Sequence, residues 1–515
     1  MTELLQVVEA LQLKLDSIEM DMNSLWLMLG FVLVIFMQLG FAMLEVGAVD
    51  RKHTKNLLIK NILDVTIVCV MWWAFGWTVA FGGGSDGTRF NQMVGSGSFF
   101  LRGEEFADEA GNFGTIEGYN WAFWLFTMGF SGTATTIVSG AVGERMCLSG
   151  YFVFCVAMSA YIFPVVARWS WNTLGWASPW SDTRSDLLFG CGAIDFAGSG
   201  VVHVTGGGAA LVLVILLGPR LGHFPERGVV QRKKGQSVII ETLGLFVLWV
   251  GWYGFNGCST LYITGSSHVA AKAMVCTSIS SASAGLGVAA ASMILFQEIT
   301  VNQVINGVLS GLVAVTAGCA VVEVEGAFLI GIIAAIIFLG HSRLLELACI
   351  DDMVDASSVH LANGMWGLIA AGLFASKEGY STAYYSERGD RCCGFLYGCG
   401  LSQLMANVVL LLSIALWAGF TSGVVGACLK YMGIFRISSE RERKGVDSVG
   451  DGISEMSPFS KGMLTQLEGL ASFIGFDMQP NGTDTPCYKR GPVAAKSVRS
   501  PAAGIVRTPQ LSRAR

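Results

Sequence analysis

Eleven apolar segments divide most of this chain, each near the length a helix needs to cross a bilayer, and that pattern limits the fold more than any motif. A hydrocarbon core about 30 Å thick takes roughly 20 residues of helix. The segments lie near 24–49, 57–82, 119–142, 149–167, 192–217, 237–257, 269–296, 301–321, 326–341, 358–376 and 399–430. Only Val322 to Glu325 separate the eighth from the ninth. Lipid offers backbone groups no hydrogen-bond partner, so such segments must be helical or close into a barrel. Composition agrees: 14% of the 515 residues are charged, against about 25% in soluble domains. The 65 glycines allow close helix contacts in lipid. A soluble enzyme and a disordered chain are both disfavoured, and the expected fold is all-α, polytopic and eleven-helical.

An odd number of spans puts the termini on opposite sides, and basic residues favour the cytoplasmic side. Arg51, Lys52 and Lys55 follow span one; Arg220, Arg227, Arg232, Lys233 and Lys234 follow span five; Lys430, Arg436, Arg441, Arg443 and Lys444 open the tail. These connections share a side, while the second connection is acidic, with Glu104, Glu105, Asp108 and Glu109. The N-terminus is therefore expected outside and the C-terminus inside. The tenth connection, with Lys377, Arg388 and Arg391, runs against the rule and is partly neutralised by Glu378, Glu387 and Asp390.

Three regions follow. Residues 1–22 carry acids and no basic start, so they do not read as a signal peptide; Leu4, Val8, Leu11, Leu15 and Ile18 recur at helical spacing and predict a short extracellular amphipathic helix. Residues 23–430 form the core. Residues 431–515 turn polar and then basic, as expected of a cytoplasmic tail disordered toward its end, where the sequon Asn481-Gly482-Thr483 would escape glycosylation. Of the 13 cysteines, Cys69, Cys155, Cys276 and Cys319 sit in apolar stretches as small hydrophobes. Cys392, Cys393 and Cys399 share a loop and could bridge. No zinc spacing stands out; no metal, cofactor or nucleic-acid partner is expected.

Polar residues within apolar spans are costly and need an account. His203 follows Gly198-Ser199-Gly200-Val201-Val202 in span five, and His360 follows Ala356-Ser357-Ser358-Val359 in span ten. Val204-Thr205-Gly206-Gly207 and Leu361-Ala362-Asn363-Gly364 come next, a weak repeat five spans apart. An odd offset inverts the topology, giving a five-plus-five inverted repeat whose halves meet near the midplane. Each histidine alone is equally a helix–helix hydrogen bond; two at matching positions argue for more. Asp195 and Asp355 precede them and are expected to cap helix starts. Phe126, Phe130, Trp169, Trp171, Trp252, Tyr253 and Phe255 read by type as interfacial belt or packing, or as a cation site, where aromatic faces contribute about 0.5–2 kcal/mol.

Together these residues resemble the Amt/Mep/Rh ammonium transporter family, and more closely its plant-type Amt branch, over roughly residues 24–450. Asp195-Phe196-Ala197-Gly198-Ser199-Gly200-Val201-Val202-His203 is similar to the span-five signature, and Gly251-Trp252-Tyr253-Gly254-Phe255-Asn256-Gly257-Cys258-Ser259 to the span-six motif, with Gly257-Cys258 where Pro-Gly is usual. Phe41-Ala42-Met43-Leu44-Glu45 resembles the span-one motif, and Gly143-Glu144-Arg145 the turn after span three. The resemblance implies a non-enzymatic homotrimer in the plasma membrane, with one pore per subunit. It implies an outer ammonium site of Trp171 and Ser259, with Trp252, Asp195 and Phe126 close by; a gate of Phe130 and Phe255; and pore histidines His203 and His360, with Asp355 and Asn256 as structural polar residues. In the tail, Gly445-Val446-Asp447 resembles a motif that contacts a neighbouring subunit, though Asp451 stands before Gly452 where histidine is usual. Ser448 beside it is a candidate regulatory phosphosite.

A π face with few oxygens suits a hydrogen-bond donor such as ammonium better than potassium, which needs many oxygen ligands. Burying an intact ion in an apolar pore costs several kcal/mol, so the expected route is deprotonation, ammonia passage and a separate proton path through the histidines. The alternatives are an ammonium sensor with slow transport and a Rh-type neutral channel; an unrelated ion channel lacks its carbonyl filter motif.

Overall fold

The computed structural model describes residues 2–83, 91–103, 106, 118–180, 186–226, 229–231 and 235–448. The sequon, Asp451-Gly452, the acids Glu104, Glu105, Asp108 and Glu109, and the basic residues Arg227, Arg232, Lys233 and Lys234 lie outside the described residues. Nine helices among the described residues are long and apolar enough to cross a membrane. In chain order the main helices are α1 (Thr2–Ala48), α2 (Arg51–Phe81), α3 (Gly118–Val142), α4 (Leu148–Trp171), α5 (Ser199–Leu217), α6 (Val238–Thr260), α7 (Ser267–Phe296), α8 (Val301–Val315), α9 (Val324–Leu347), α10 (357–374) and α11 (Ser402–Tyr431). The two outside the nine are α8, at 15 residues, and α10, whose first turn, Ser357–Ala362, is π-helical before Asn363–Phe374 continues as α-helix. The result is an all-α polytopic membrane fold.

Three expectations change. The segment 1–22 is not a separate element: with no glycine or proline before Gly30, one helix runs unbroken through it into the first span. Span five begins at Ser199 rather than 192, because Gly198 adopts φ +101° and breaks the backbone there. Span eight ends at Val315; Ala317 and Thr316 then turn their carbonyls to the backbone N–H groups of Phe196 and Ala197.

Four cysteines form two bridges. Cys393 pairs with Cys399, within the loop expected to bridge, but Cys392 pairs with Cys191, 201 residues away. That second bridge ties the α4–α5 connection to the α10–α11 connection.

The opposite face is held by a buried ionic hub. Arg220, just past α5, places Nε and Nη2 each 2.8 Å from the Asp351 carboxylate and Nη1 3.2 Å from Glu144. His223 Nε2 lies 3.4 Å from Asp351. Arg145 adds hydrogen bonds to the carbonyls of Ala141 and Gly218 and a short one to Asp351 O. The ends of α3 and α5 and the approach to α10 are thereby joined. Glu442, in a short helix Ser439–Lys444, accepts from Leu221 N at 2.7 Å and from Arg436 at 2.9 Å. The tail continues to Asp447, whose carboxylate accepts the backbone N–H groups of Lys55 and Asn56 at 2.8 and 3.0 Å, capping the first turns of α2 within the same chain.

Burial raises the Asp351 carboxyl, but hydrogen bonds and charge from Arg220 outweigh it and hold the group well below the usual carboxylate range. A carboxyl depressed in the folded state contributes stability above its unfolded pKa and loses it as pH falls through the folded one. Asp351→Asn should therefore cost about 3 kcal/mol, the scale of a broken buried ion pair, across neutral pH. The Tm difference from wild type should stay constant from pH 8 to about 5 and shrink only below about 4. A difference that vanishes by pH 6 would contradict this.

Candidate functional site

The site grows from two broken helix starts. Before α5 the chain runs non-helically through Asp195 to Gly198, so Asp195 and His203 are not joined by a full helix as a continuous span would require. Asp195 Oδ2 accepts the backbone N–H groups of Gly200 and Val201 at 3.1 and 2.8 Å. It is the expected helix cap, satisfying donors that lipid would leave unpaired. Before α10 the cap is not Asp355 but Asp352, whose Oδ2 accepts from both Ser357 N and Ser357 Oγ at 2.6 Å. Asp355 has φ +56°, and its carboxylate instead takes Ser342 Oγ at 2.7 Å and Asn306 Nδ2 at 3.3 Å. The correction improves the repeat: Asp195 and Asp352 each stand eight residues before their histidine.

Both helices open in π geometry, Ser199–Val204 and Ser357–Ala362, and cross where glycine removes the side chain. A Cβ on Gly207 would lie 2.4 Å from Leu361 N, and one on Gly364 would lie 2.6 Å from Ser199 O and 3.2 Å from Val204 N. Each glycine is four residues past its own histidine and meets the residue just after the other. This reciprocal contact brings the rings together: His203 Nδ1 and His360 Nδ1 are 3.1 Å apart, in rings inclined by 15°. Both are buried. At that distance one nitrogen carries the proton and the other accepts it, so the pair shares a hydrogen bond.

Above the histidines the aromatics form a column. Phe255 lies 5.6 Å from the His203 ring, Phe130 lies 4.2 Å from Phe255, and Phe126 and Trp171 lie 4.9 and 5.4 Å from Phe130. Trp171, Ser259, Phe126 and Phe130 then open into a cavity of about 580 Å³ walled also by Tyr119 and Trp180. Trp171 donates its indole N–H to Asp195 O at 2.8 Å, so Asp195 fixes both the helix start and the tryptophan ring. Ser259 Oγ donates to Phe255 O at 2.7 Å, which leaves its lone pairs for a donor in the cavity.

Trp252 is placed differently from expectation. It is fully buried, donates to Thr316 Oγ1 at 3.0 Å and lies flat against His203, centroids 5.2 Å apart. It belongs to the histidine layer below the phenylalanines, not to the cavity wall. Asn256 Nδ2 donates to Thr277 Oγ1 at 2.8 Å and ties α6 to α7.

Below the histidines is a cavity of about 20 Å³, lined among others by Phe41, Glu45, Thr136, Asn306 and His360. By volume it can hold about one water. Glu45 is buried and accepts from Asn61 Nδ2 at 2.9 Å and from Ser139 Oγ. Glu45 as a cavity-lining carboxylate, Asn306 and the Asp352 cap were not singled out from sequence; the eight-residue spacing to histidine was the signal for Asp352.

Helices packed through glycine around a buried histidine pair, with an aromatic column leading to it, define a polytopic membrane protein with a polar site enclosed at its centre. The sequence profile of the Ammonium Transporter Family matches residues 25–452, and the chain belongs to that family. It is similar to Ammonium transporter 1 member 3 of Solanum lycopersicum, with 35% identity over 84% of this chain and 92% of the relative. With Putative ammonium transporter 1 member 5 of Arabidopsis thaliana it shares 37% identity over 79% and 80% of the two chains. Among solved structures, one titled Sensor Amt Protein superposes with a TM-score of 0.73 at 28% identity, covering 85% of this chain and 100% of the other.

Gly207→Ala should drive the two crossing backbones apart, because the obstructing atom is backbone and cannot rotate away. Uptake by the variant should fall at least tenfold while Gly208→Ala, whose Cβ meets nothing nearer than 3.7 Å, stays near wild type. Equal uptake by the two would show that the crossing does not hold the site.

Proposed function

We propose that this protein carries ammonium across the plasma membrane as a homotrimer of eleven-span subunits, electrogenically, by ammonium recruitment, deprotonation and passage of ammonia past the histidine pair. The observation that carries the reading is the unbroken sequence of aromatic cavity, phenylalanine pair and hydrogen-bonded histidines along one line. Ammonium meets the π face of Trp171 and the lone pairs of Ser259, with Phe126 and Phe130 excluding water below; this is a poor site for potassium, which needs many oxygens. Beyond Phe130 and Phe255 the surroundings are apolar, and an intact cation would face several kcal/mol of desolvation. Neutral ammonia does not. The proton crosses separately in the same direction, along the shared hydrogen bond of His203 and His360 toward the small cavity at Glu45, so one charge moves with each ammonia.

Orientation has two supports. The positive-inside pattern puts Arg51 and Arg220 in the cytoplasm, and the Cys191–Cys392 and Cys393–Cys399 bridges belong in an oxidising compartment. The N-terminus is then outside and the tail inside, as a regulatory element. Asp447 anchoring α2 favours a second role for that tail: a charge added at the adjacent Ser448 would work against a contact already made by a carboxylate.

Current recording in oocytes or liposomes tests the transport reading. Ammonium should evoke inward current that potassium does not; uptake without current would remove the electrogenic step. Trp171→Leu should raise the half-saturating ammonium concentration about two- to thirtyfold, corresponding to 0.5–2 kcal/mol of lost cation–π attraction. His203→Ala should lower the charge moved per ammonium taken up, and full current with unchanged selectivity would overturn the proton route. Ser448→Asp should reduce uptake at equal surface expression; unchanged uptake would remove the regulatory role.

A further inference from the structure

The first half of α1 stands away from the body with an apolar stripe that nothing among the described residues covers. Residues 4–19 are all exposed, and burial against the body starts at Asn23 and Ser24. Along this stretch Leu4, Val8, Leu11, Leu15, Ile18 and Met22 alternate in steps of four and three. The same steps continue through Leu25 and Leu29 to Leu39, and every position in the series is between 46% and 69% exposed. On the opposite side Leu27, Val34, Met37 and Phe41 are buried against the protein's own helices. A spacing of 3.5 residues sustained over five heptads is the pattern of a coiled-coil seam, not of a helix merely packed on a globule.

We infer that the N-terminal half of α1 is a coiled-coil segment whose partner is the same segment of other copies of this chain. Three observations select that occupant. Every copy enters the bilayer through the C-terminal end of the same helix, so copies in one membrane are parallel and in register. In that register Lys14 falls at a g position and Glu19, five residues on, at the facing e position, an opposite-charge pair between neighbours. Glu19 already accepts from Thr264 of its own chain at 2.8 Å, and a carboxylate has lone pairs for both. The competing occupant, the bilayer surface, fits poorly: interfacial helices are rich in Lys and Arg, whereas residues 2–22 hold Glu3, Glu9, Asp16, Glu19 and Asp21 against one Lys14. A straight continuation of a spanning helix also projects from the membrane, by about 30 Å for 20 residues, rather than lying on it. The seam mixes Val8 and Leu15 at a with Leu11 and Ile18 at d, so it does not impose a strand number; the proposed homotrimer of the core sets it, and in that respect the inference rests on the function proposed above.

Cysteine cross-linking of the full chain in intact membranes tests this. With an oxidant that does not cross the bilayer, Leu11→Cys and Ile18→Cys should each give covalent oligomers on non-reducing gels, whereas Leu13→Cys, on the outer side of the seam, should not. Lys14→Glu should lower the temperature at which the purified oligomer dissociates, and adding Glu19→Lys should restore it. Native mass spectrometry of the parent separates the two ideas. A trimeric parent in which Leu11→Cys and Leu13→Cys cross-link equally, or not at all, overturns the coiled coil and leaves the transport reading standing; a monomeric parent overturns the coiled coil and the homotrimer together. A spin label at Leu11→Cys that partitions into lipid would likewise overturn it.

Discussion

The backbone crossing of α5 and α10 is the contact on which the site depends. Two helices approach this closely only where side chains are missing, and Gly207 and Gly364 supply that absence at matching places. The π turns at both starts, the two carboxylate caps and the paired histidines follow from it. A π turn carries an extra residue per turn relative to an α-helix and commonly marks functional positions. Here it directs His203 and His360 inward at the level of the crossing. The caps at Asp195 and Asp352 let each helix begin inside the protein without stranding its first N–H groups.

Around this centre, two buried cations are held by backbone carbonyls. Arg168 is buried and gives its guanidinium to the carbonyls of Asn91 and Gly82 and to Asn91 Oδ1. Lys60 is buried and donates to the carbonyls of Gly143 and Met146. These cations close the ends of helices, where free carbonyls would otherwise face lipid or apolar packing. The apolar column between the aromatic cavity and the histidines is therefore the exception by design of the sequence: it is lined with rings, not with groups that could rehydrate a charge.

Much of this was legible because membrane helices leave few places for polar residues. His203, His360 and Asp195 stand out in runs of apolar sequence, and the family resemblance named Phe130, Phe255, Trp171 and Ser259 together. The failures have physical causes. Asp355 was the carboxylate nearest His360 in sequence, but a left-handed backbone at that residue turns its side chain to Ser342 and hands the cap to Asp352. Trp252 shares a motif with Ser259, yet nearly two helical turns separate them, enough to move it from the cavity to the histidine layer. Cys191 could not be paired with Cys392 from spacing, since connectivity across 201 residues is a property of the fold. The α1 segment was read as a short independent helix because its polarity differs from that of the span, although nothing in its sequence stops a helix.

The bridge between Cys191 and Cys392 has a consequence for how such a fold can work. Transporters built from two inverted halves commonly open to one side and then the other by rocking one half against its mate. Here the connection leading into α5 is covalently fastened to the one leading into α11, and α11 itself clamps both sides: Asn407 holds Ile194 N and O and Leu368 O at 2.8–2.9 Å. Rocking of one half against the other would have to break this bridge, the Asn407 contacts and the glycine crossing together. On the transport reading proposed above, the substrate would then follow a stationary path, with turnover set by hopping over a barrier that side-chain motion alters rather than by the swing of a domain.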